Sequence, residues 1–364
     1  MKIAITGLVN CGKTTIFNAL TGLNTPTSIY VSNLDSPVKG LVKVYDERVK
    51  ILSDIYKPKK TIFSTIEYSD YIGLTKGDLS HNSKVFDNIK LSDALVDVVR
   101  AFENEAIAHP DGKVDPVRDA LTLETEMILS DLDLVEKRLT RMKESAKKGK
   151  KPLPDQEEQT ELLDKCLQML EDEQPLRNVE FTKEENAHLR HLQFASIKPK
   201  IVVVNISEKD LKGDYASEIT EAVSNRLNIS KDAVLALSGS VEMDIAQLSQ
   251  SEAQEFLREL GIAEPALNRL VRHCYSLLGL ISFLTVGDDE VRSWTINKGS
   301  TAVEAAGKIH SDIERGFIRA ETVSYDDFIS AGSMVNAKKH GSVRLEGKTY
   351  IVKDGDILNF RFNV

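Results

Sequence analysis

Residues Gly7 to Thr15 read G-L-V-N-C-G-K-T-T and complete the G-x-x-x-x-G-K-[ST] pattern of a phosphate-binding loop. The residue types suit the chemistry. Gly7 and Gly12 let the backbone curl so that successive N–H groups face a phosphate chain, at a helix N-terminus that already favours negative charge. Lys13 can reach the β- and γ-phosphates as a catalytic cation, and the Thr14 hydroxyl can ligate Mg²⁺. Asn10, Cys11, Gly12, Lys13, Thr14 and Thr15 are therefore expected around the phosphates of a nucleoside triphosphate.

A phosphate loop alone does not separate kinases, ATPases and GTPases. Downstream, Ile66–Gly73 (I-E-Y-S-D-Y-I-G) reads as a strand ending in D-x-x-G. Asp70 would hold Mg²⁺ with Thr14, and the Gly73 N–H would meet the γ-phosphate. Asn205–Glu208 (N-I-S-E) stands where guanine-specific GTPases carry N-K-x-D. Ile206 replaces the lysine and Glu208 is one methylene longer than aspartate, so strict guanine selectivity should be lost. A polar strand-to-helix turn without base contact would read the same way. Ser238–Ser240 (S-G-S) offers a last purine-side loop, with Ser238 at its start.

The elements that must position these residues are legible as well. Lys2–Thr6 is a short apolar strand running into the loop, and Ile16–Leu20 begins a helical pattern. Ile62–Ser69, Ala94–Arg100 and Ala233–Leu237 read as further strands. Lys200–Asn205 (K-I-V-V-V-N) is nearly continuous in β-branched residues, as a strand buried on both faces should be. This alternation marks an α/β unit built around the phosphate loop.

A long interruption precedes Lys200. Ile128, Leu132, Val135, Leu139, Met142 and Ala146 recur at alternating spacings of four and three, one seam of a long helix. Gly149–Asp155 (G-K-K-P-L-P-D) breaks it, and Gln159, Leu163, Cys166 and Leu170 form a second run. The pattern predicts an antiparallel coiled-coil hairpin, although an ordinary pair of core helices shares it. The tip is basic, with Lys137, Arg138, Arg141, Lys143, Lys147, Lys148, Lys150 and Lys151. Such a patch could meet phosphates or be only a solvated face. It has no interleaved aromatic residue, which argues against base stacking.

From about Leu278 the text changes. Ile281–Val286 and Val291–Ile296 read as strands, Thr301–Arg315 as a helix, and Phe317–Val323, Lys348–Val352 and Ile357–Phe362 as strands again. Lys353–Asp356 makes a turn between the last two. This describes a small β-grasp domain. The expected organisation is a nucleotide-binding domain over 1–124 and 199–277, a helical hairpin over 125–198 and the β-grasp domain over 278–364.

Bulk properties set outer bounds. A chain of 364 residues is expected to form two or three domains. With 41% hydrophobic and 28% charged residues it reads as a soluble globular protein without a membrane partner, since no apolar run is long enough to span a bilayer. The N-terminus does not read as a signal peptide. Three well-separated cysteines, with no CxxC, suit a reducing cytoplasm. A net charge of −9 disfavours indiscriminate binding to nucleic acid, so any RNA-facing surface must be a local patch.

Taken together, these residues resemble the YchF-type Obg-like ATPases, P-loop NTPases of the translation-factor branch. The likeness runs along essentially the whole chain. It rests on G-x-x-N-x-G-K-x-T at Gly7–Thr15, D-E-R at Asp46–Arg48, K-P-K-K at Lys57–Lys60 and A-x-x-x-V-V-R-x-F at Ala94–Phe102. G-K-V-D-P at Gly112–Pro116, V-E-K-R-L at Val135–Leu139, the N-x-x-E of Asn205–Glu208, Ala306–Glu321 and the terminal F-R-F-N-V extend it. The resemblance implies a Ras-like nucleotide domain, a C-terminal TGS domain, ATP preferred over GTP, Mg²⁺ as cofactor, and hydrolysis to ADP and phosphate. It also implies association with ribosomes or their subunits, meeting rRNA through the basic hairpin tip and the TGS domain. Two alternatives stay open: a nucleotide-gated ribosome-binding module with little hydrolysis, and a strict GTPase of ribosome assembly.

Catalysis should be slow. Leu74 follows D-x-x-G where Ras-like enzymes place a water-orienting glutamine, and an aliphatic side chain cannot align water. His109 matches a family histidine thought to swing toward the γ-phosphate, and K⁺ near Asn10 follows by analogy with other P-loop enzymes. The family's switch I threonine is replaced by Leu34, with Ser32 or Ser36 as the available substitutes, and the segment after switch II is shortened to Asp78–Lys84. Cys11, beside Lys13 at a helix N-terminus, is either an oxidisable thiolate or a small residue that fits the loop.

Overall fold

The computed structural model describes residues 1–26, 37–147 and 155–363. By packing it divides into two compact units, Met1–Leu41 with Glu67–Leu270 and Val42–Ile66 with Val271–Val364. In chain order the strands are β1 (Lys2–Gly7), β2 (Val38–Lys43), β3 (Lys60–Ile62), β4 (Thr65–Asp70), β5 (Ala94–Ala101) and β6 (Lys200–Ile206). They continue with β7 (Val234–Leu237), β8 (Leu280–Thr285), β9 (Glu290–Asn297), β10 (Phe317–Ser324), β11 (Arg344–Glu346) and β12 (Asp356–Phe362). The helices are α1 (Lys13–Thr21), α2 (Glu47–Tyr56), α3 (Leu79–Ile89), α4 (Pro116–Lys147), α5 (Gln156–Glu171), α6 (Lys183–Leu189) and α7 (Tyr215–Leu227). After them come α8 (Gly239–Gln247), α9 (Gln250–Leu260), α10 (Ala266–Leu277), α11 (Ala302–Ile309), α12 (Ser311–Arg315), α13 (Tyr325–Ala331) and α14 (Met334–Lys339).

The first unit is built on a sheet of order β2-β4-β1-β5-β6-β7, parallel from β4 through β7. Every residue of β5 and β6 is buried, which explains the nearly continuous β-branched text of β6. Helices α3, α4 and α7 cover one face, where Phe86, Leu123, Met127 and Val223 share a cluster with Leu95, Val99 and Val204. Helix α4 then serves a second core. Its Ile128, Val135 and Leu139 pack with Leu162, Leu163, Cys166 and Leu170 of α5, so the expected pairing of the two helical runs is present. The helix that carries the insertion starts earlier, at Pro116, and passes from the sheet core to the hairpin core between Met127 and Ile128. Proline suits that first position because its missing N–H would be unpaired there anyway.

A buried polar chain fastens the hairpin root to the sheet. Thr6 of β1 bonds Asp97 of β5, Lys200 of β6 bridges Asp97 at 3.0 Å and Glu124 of α4, and Glu124 meets Arg177. The Lys200 and Asp97 side chains are each 1% exposed, so neither charge would be tolerated there without the other. Asp131 of α4 accepts the N–H groups of Ala195 and Ser196 at 2.9 and 2.7 Å, closing the insertion where the chain returns to the sheet.

The second unit carries a sheet of order β11-β10-β12-β8-β9-β3. Antiparallel pairs β8–β9, β10–β12 and β10–β11 make most of it, with β12 parallel to β8. Ala302, Ala305 and Ala306 of α11 pack with Phe283, Phe317 and Leu358 in one cluster, and Val49, Leu52, Phe328 and Ala337 pack with Leu284 and Val323 in another.

Four sequence expectations need correction. Ile62–Ser69 is not one strand: the chain turns at Ser64, whose N–H and hydroxyl bond Ser293, and β3 pairs in parallel with β9 while β4 joins the first sheet. Residues 42–66 accordingly pack with the second unit, although they were expected in the nucleotide domain. Thr301–Arg315 is broken at His310, which is extended (φ −163°, ψ 143°) and caps α12 by accepting the Asp312 N–H. Lys348–Val352 makes only a single bridge, Ile351 to Thr301, and the edge strand is Arg344–Glu346 instead. The expected hairpin break, with Lys148, Lys150 and Lys151, lies outside the described residues, as do Ser32, Leu34 and Ser36.

Candidate nucleotide site

β1 delivers the chain into the phosphate loop, and α1 begins at Lys13 behind Gly12, which is left-handed (φ 90°, ψ 15°). A Cβ on Gly12 would run into Nδ2 of Asn205, so glycine is required twice over. Asn205 is 4% exposed and its amide is used at both ends: Nδ2 donates to the Cys11 carbonyl at 3.0 Å, and Oδ1 accepts from the Gly239 N–H at 2.9 Å. It thereby ties the phosphate loop to the start of α8. Ser238 stands at the N-cap position of that helix, is buried, and spends its hydroxyl on a 3.0 Å hydrogen bond with the Ser240 hydroxyl rather than on a cap.

Thr14 Oγ1 donates to Asp70 Oδ2 at 2.7 Å, while Asp70 Oδ1 is buried and unpartnered among the described residues. Burial pushes the Asp70 carboxyl above its ordinary value, against the opposing influence of Lys13 and of the Thr14 bond. A hydroxyl and a carboxylate with an unsatisfied oxygen are hard donors of the type Mg²⁺ prefers, so these residues fit that ion. Among the described residues no group of three or more acidic, histidine or cysteine side chains stands together so as to hold a metal ion. Gly73 presses on the same loop, since a Cβ there would lie 2.8 Å from the Val9 Cα and N. The Leu74 N–H donates to the Gly7 carbonyl at 2.9 Å.

Several expected site residues are placed differently from their sequence reading. Ile206 is 2% exposed and packs in the sheet core, so its side chain is withdrawn from any base. Leu74 is fully buried in that core, which accounts for its aliphatic type. Cys11 is 2% exposed, and burial pushes its thiol up, outweighing Lys13, so its surroundings favour the thiol over the thiolate. His109 faces Asp119, with Nε2 2.8 Å from Oδ2, while its Nδ1 accepts the Asp111 N–H at 3.1 Å. Its side chain is 4% exposed, so both nitrogens are engaged away from solvent. Lys13, Thr14 and Thr15 are half-buried in the loop and first turn, and Glu208 is exposed just past β6.

Tertiary structure adds contacts that the sequence did not show, some of them through residues it did not single out. His81 Nε2 lies 2.9 Å from the Gly73 carbonyl. Glu126 of α4 accepts the Gly77 N–H at 2.8 Å and Asn82 Nδ2 at 2.7 Å, so the segment after D-x-x-G is tied to the hairpin root. Asn10 Nδ2 donates to the Ala108 carbonyl at 3.1 Å, linking the phosphate loop to the His109 loop. Arg100 is 2% exposed, holds the Phe102 and Asn104 carbonyls, and lies over the Phe102 ring, 4.7 Å from its centroid. The sequence signals near these were the shortened run Asp78–Lys84, which forms the capped start of α3, Asn10 of the phosphate loop, and the A-x-x-x-V-V-R-x-F run that holds Arg100.

Residues 2–129 match the family model described as a 50S ribosome-binding GTPase, and residues 280–363 match the C-terminal model of YchF-type GTPases, described as a protein of unknown function. The chain is 42% identical over 367 residues to a ribosome-binding ATPase YchF of Bacillus subtilis, with all of both chains covered. It belongs to the YchF family. The Escherichia coli O157:H7 YchF is 41% identical, with 100% of this chain and 99% of that one covered. A solved YchF GTPase structure from Schizosaccharomyces pombe superposes with a TM-score of 0.83 at 30% identity, covering 99% of this chain and 97% of that one. The YchF likeness therefore extends over the nucleotide-binding fold, the helical insertion and the C-terminal domain together.

Proposed function

We propose that the protein binds and slowly hydrolyses ATP and associates with the ribosome or one of its subunits. The Thr14–Asp70 pair with its orphaned carboxylate oxygen, set beside a left-handed Gly12, is the observation that carries the nucleotide part. Thr14 and Asp70 would hold Mg²⁺, which when bound neutralises charge on the β- and γ-phosphates. Asn10 to Thr15 would wrap the phosphates, Lys13 would offset their charge, and Gly73 would present its N–H to the γ-phosphate. On the base side, Asn205 shapes the cleft by joining the loops rather than by reading the base. Glu208 stands where the guanine-reading aspartate would be, exposed just past β6, a change that favours ATP over GTP, with Ser238 at the start of α8 on the purine side. Equilibrium titration with labelled nucleotides tests this; a hundredfold preference for GTP, about 2.7 kcal/mol, would defeat it.

The ribosome part is supported by the names its relatives carry and by the basic flank of α4. A nucleotide-gated module with little hydrolysis is favoured by one specific arrangement: Leu74 is sealed in the core and His109 is engaged by Asp119 and the Asp111 N–H. For His109 to act on a phosphate it must leave that partner. Single-turnover hydrolysis with purified ribosomes separates the readings. A rate no faster than that of Lys13→Ala would make the protein a switch, and a rate abolished by His109→Ala would make the histidine catalytic.

A further inference from the structure

A cavity of about 350 Å³ opens in the helical hairpin, and none of its lining residues belongs to the nucleotide loops. Leu162 and Leu163 of α5 and Leu189 of α6 are buried at its base, with half-buried Leu192 beside them. Arg138 of α4, His188 of α6 and His191 just beyond α6 form its more exposed margin. Arg138 belongs to the basic run of the hairpin, whereas the two imidazoles come from far along the chain. Asp155 is the one acid in the lining, and Gln159 adds an amide. None of the ion pairs among the described residues ties up Arg138, His188 or His191.

The linear basic run lacks aromatic residues, and the fold supplies two flat rings beside it. We propose that this cavity takes one unpaired nucleotide extruded from an RNA, its base on the leucine floor against the imidazoles and its phosphate toward Arg138. The inference rests on the ribosome reading above. Proteins read RNA by sequence mainly at loops and bulges, where unstacked bases lie on histidine or aromatic rings and on arginine planes. The volume sits near the lower end of the small-ligand range of about 300–1,000 Å³, enough for one base with its sugar and too little for a run of peptide. A paired helix can reach the margin but not the floor. The structure thus divides RNA contact into a charge-driven part on the basic flank and a shape-selective part in the cavity.

The test uses the full-length chain and two labelled RNA hairpins, one fully paired and one carrying a single bulged adenosine, at fixed salt. Fluorescence anisotropy should show the bulged RNA binding about tenfold tighter, as expected for one stacked base. His188→Ala with His191→Ala should abolish that preference while leaving the salt-dependent affinity for the paired hairpin. His191→Phe, which keeps a stacking face, should retain it, and circular dichroism establishes that the variants fold. Equal affinity for the two hairpins, or a preference that survives the double substitution, overturns the proposal. A leucine-containing acidic peptide bound in a His191-dependent way, with no bulge preference, would assign the cavity to a protein partner instead. Co-sedimentation of the unaltered chain with ribosomes keeps the two levels apart: binding there without bulge selectivity refutes the cavity alone, and no binding refutes the ribosome reading itself.

Discussion

Asn205→Ala should loosen the nucleotide site without touching a phosphate. The side chain joins two loops that the sheet alone does not hold together, donating to the Cys11 carbonyl and accepting from the Gly239 N–H at 3.0 and 2.9 Å. Truncation leaves both backbone groups unpaired in a pocket where Asn205 itself is 4% exposed. Each orphan costs about 1–3 kcal/mol, and the space vacated admits water, so the sum falls near the lower bound, about 2–3 kcal/mol. Asn205→Asp should be no better, because it keeps the acceptor for Gly239 but sets a carboxylate oxygen against the Cys11 carbonyl. The single tryptophan, Trp294, lies in the other compact unit. Unfolding is therefore best followed by far-UV circular dichroism in urea and by hydrogen exchange at the Gly239 amide. ATP affinity should fall at least about tenfold, because part of that cost is restored only when nucleotide reorders the loop. An unchanged urea transition together with unchanged ATP affinity would refute the assignment of Asn205 as the tie between the two loops.

Lys200→Met should destabilise the first unit by about 3–5 kcal/mol in urea titrations, because it leaves the buried Asp97 carboxylate without its cation, while Glu124 keeps Arg177. Leu74→Gln should not raise single-turnover hydrolysis. It should instead cost stability, about 1–3 kcal/mol, by placing an amide in a fully buried apolar site. Burial pushes the Asp131 carboxyl up to about 6 from an ordinary 3.8. A raised carboxyl favours the folded state while protonated, so its contribution is full below pH 3.8 and is lost as pH rises through about 6, a change of about 3 kcal/mol. Asp131→Asn should remove that slope while lowering stability throughout, because its amide nitrogen would face one of the two N–H donors. A slope unchanged in the variant would assign the titration elsewhere.

The phosphate loop, the D-x-x-G turn and the sheet strands were readable because their chemistry is local. A curled glycine loop between strand and helix has one use, and unbroken β-branched runs have one place in a parallel sheet. The seam of α4 and α5 was readable for the same reason, as a periodicity carried within each helix. The C-terminal helix was misread across His310, where a histidine ring caps a new helix inside an apparently continuous pattern. Residues 348–352 were misread because a strand exists only where a partner edge accepts it, and their edge is used once.

Sequence by itself established a nucleotide-binding P-loop fold with a helical insertion and a C-terminal β-domain, since each is encoded in neighbouring residues. Tertiary structure decided which side chains face the ligand and which face the core. Ile206 and Leu74 turn inward, His109 turns to Asp119, and Asn205 spends its amide on holding two loops. The reason is that side-chain direction and partnership depend on atoms brought close by folding from 10 to nearly 200 positions away. The same closure sets two histidines of the returning chain beside the basic helix and packs residues 42–66 with the second unit.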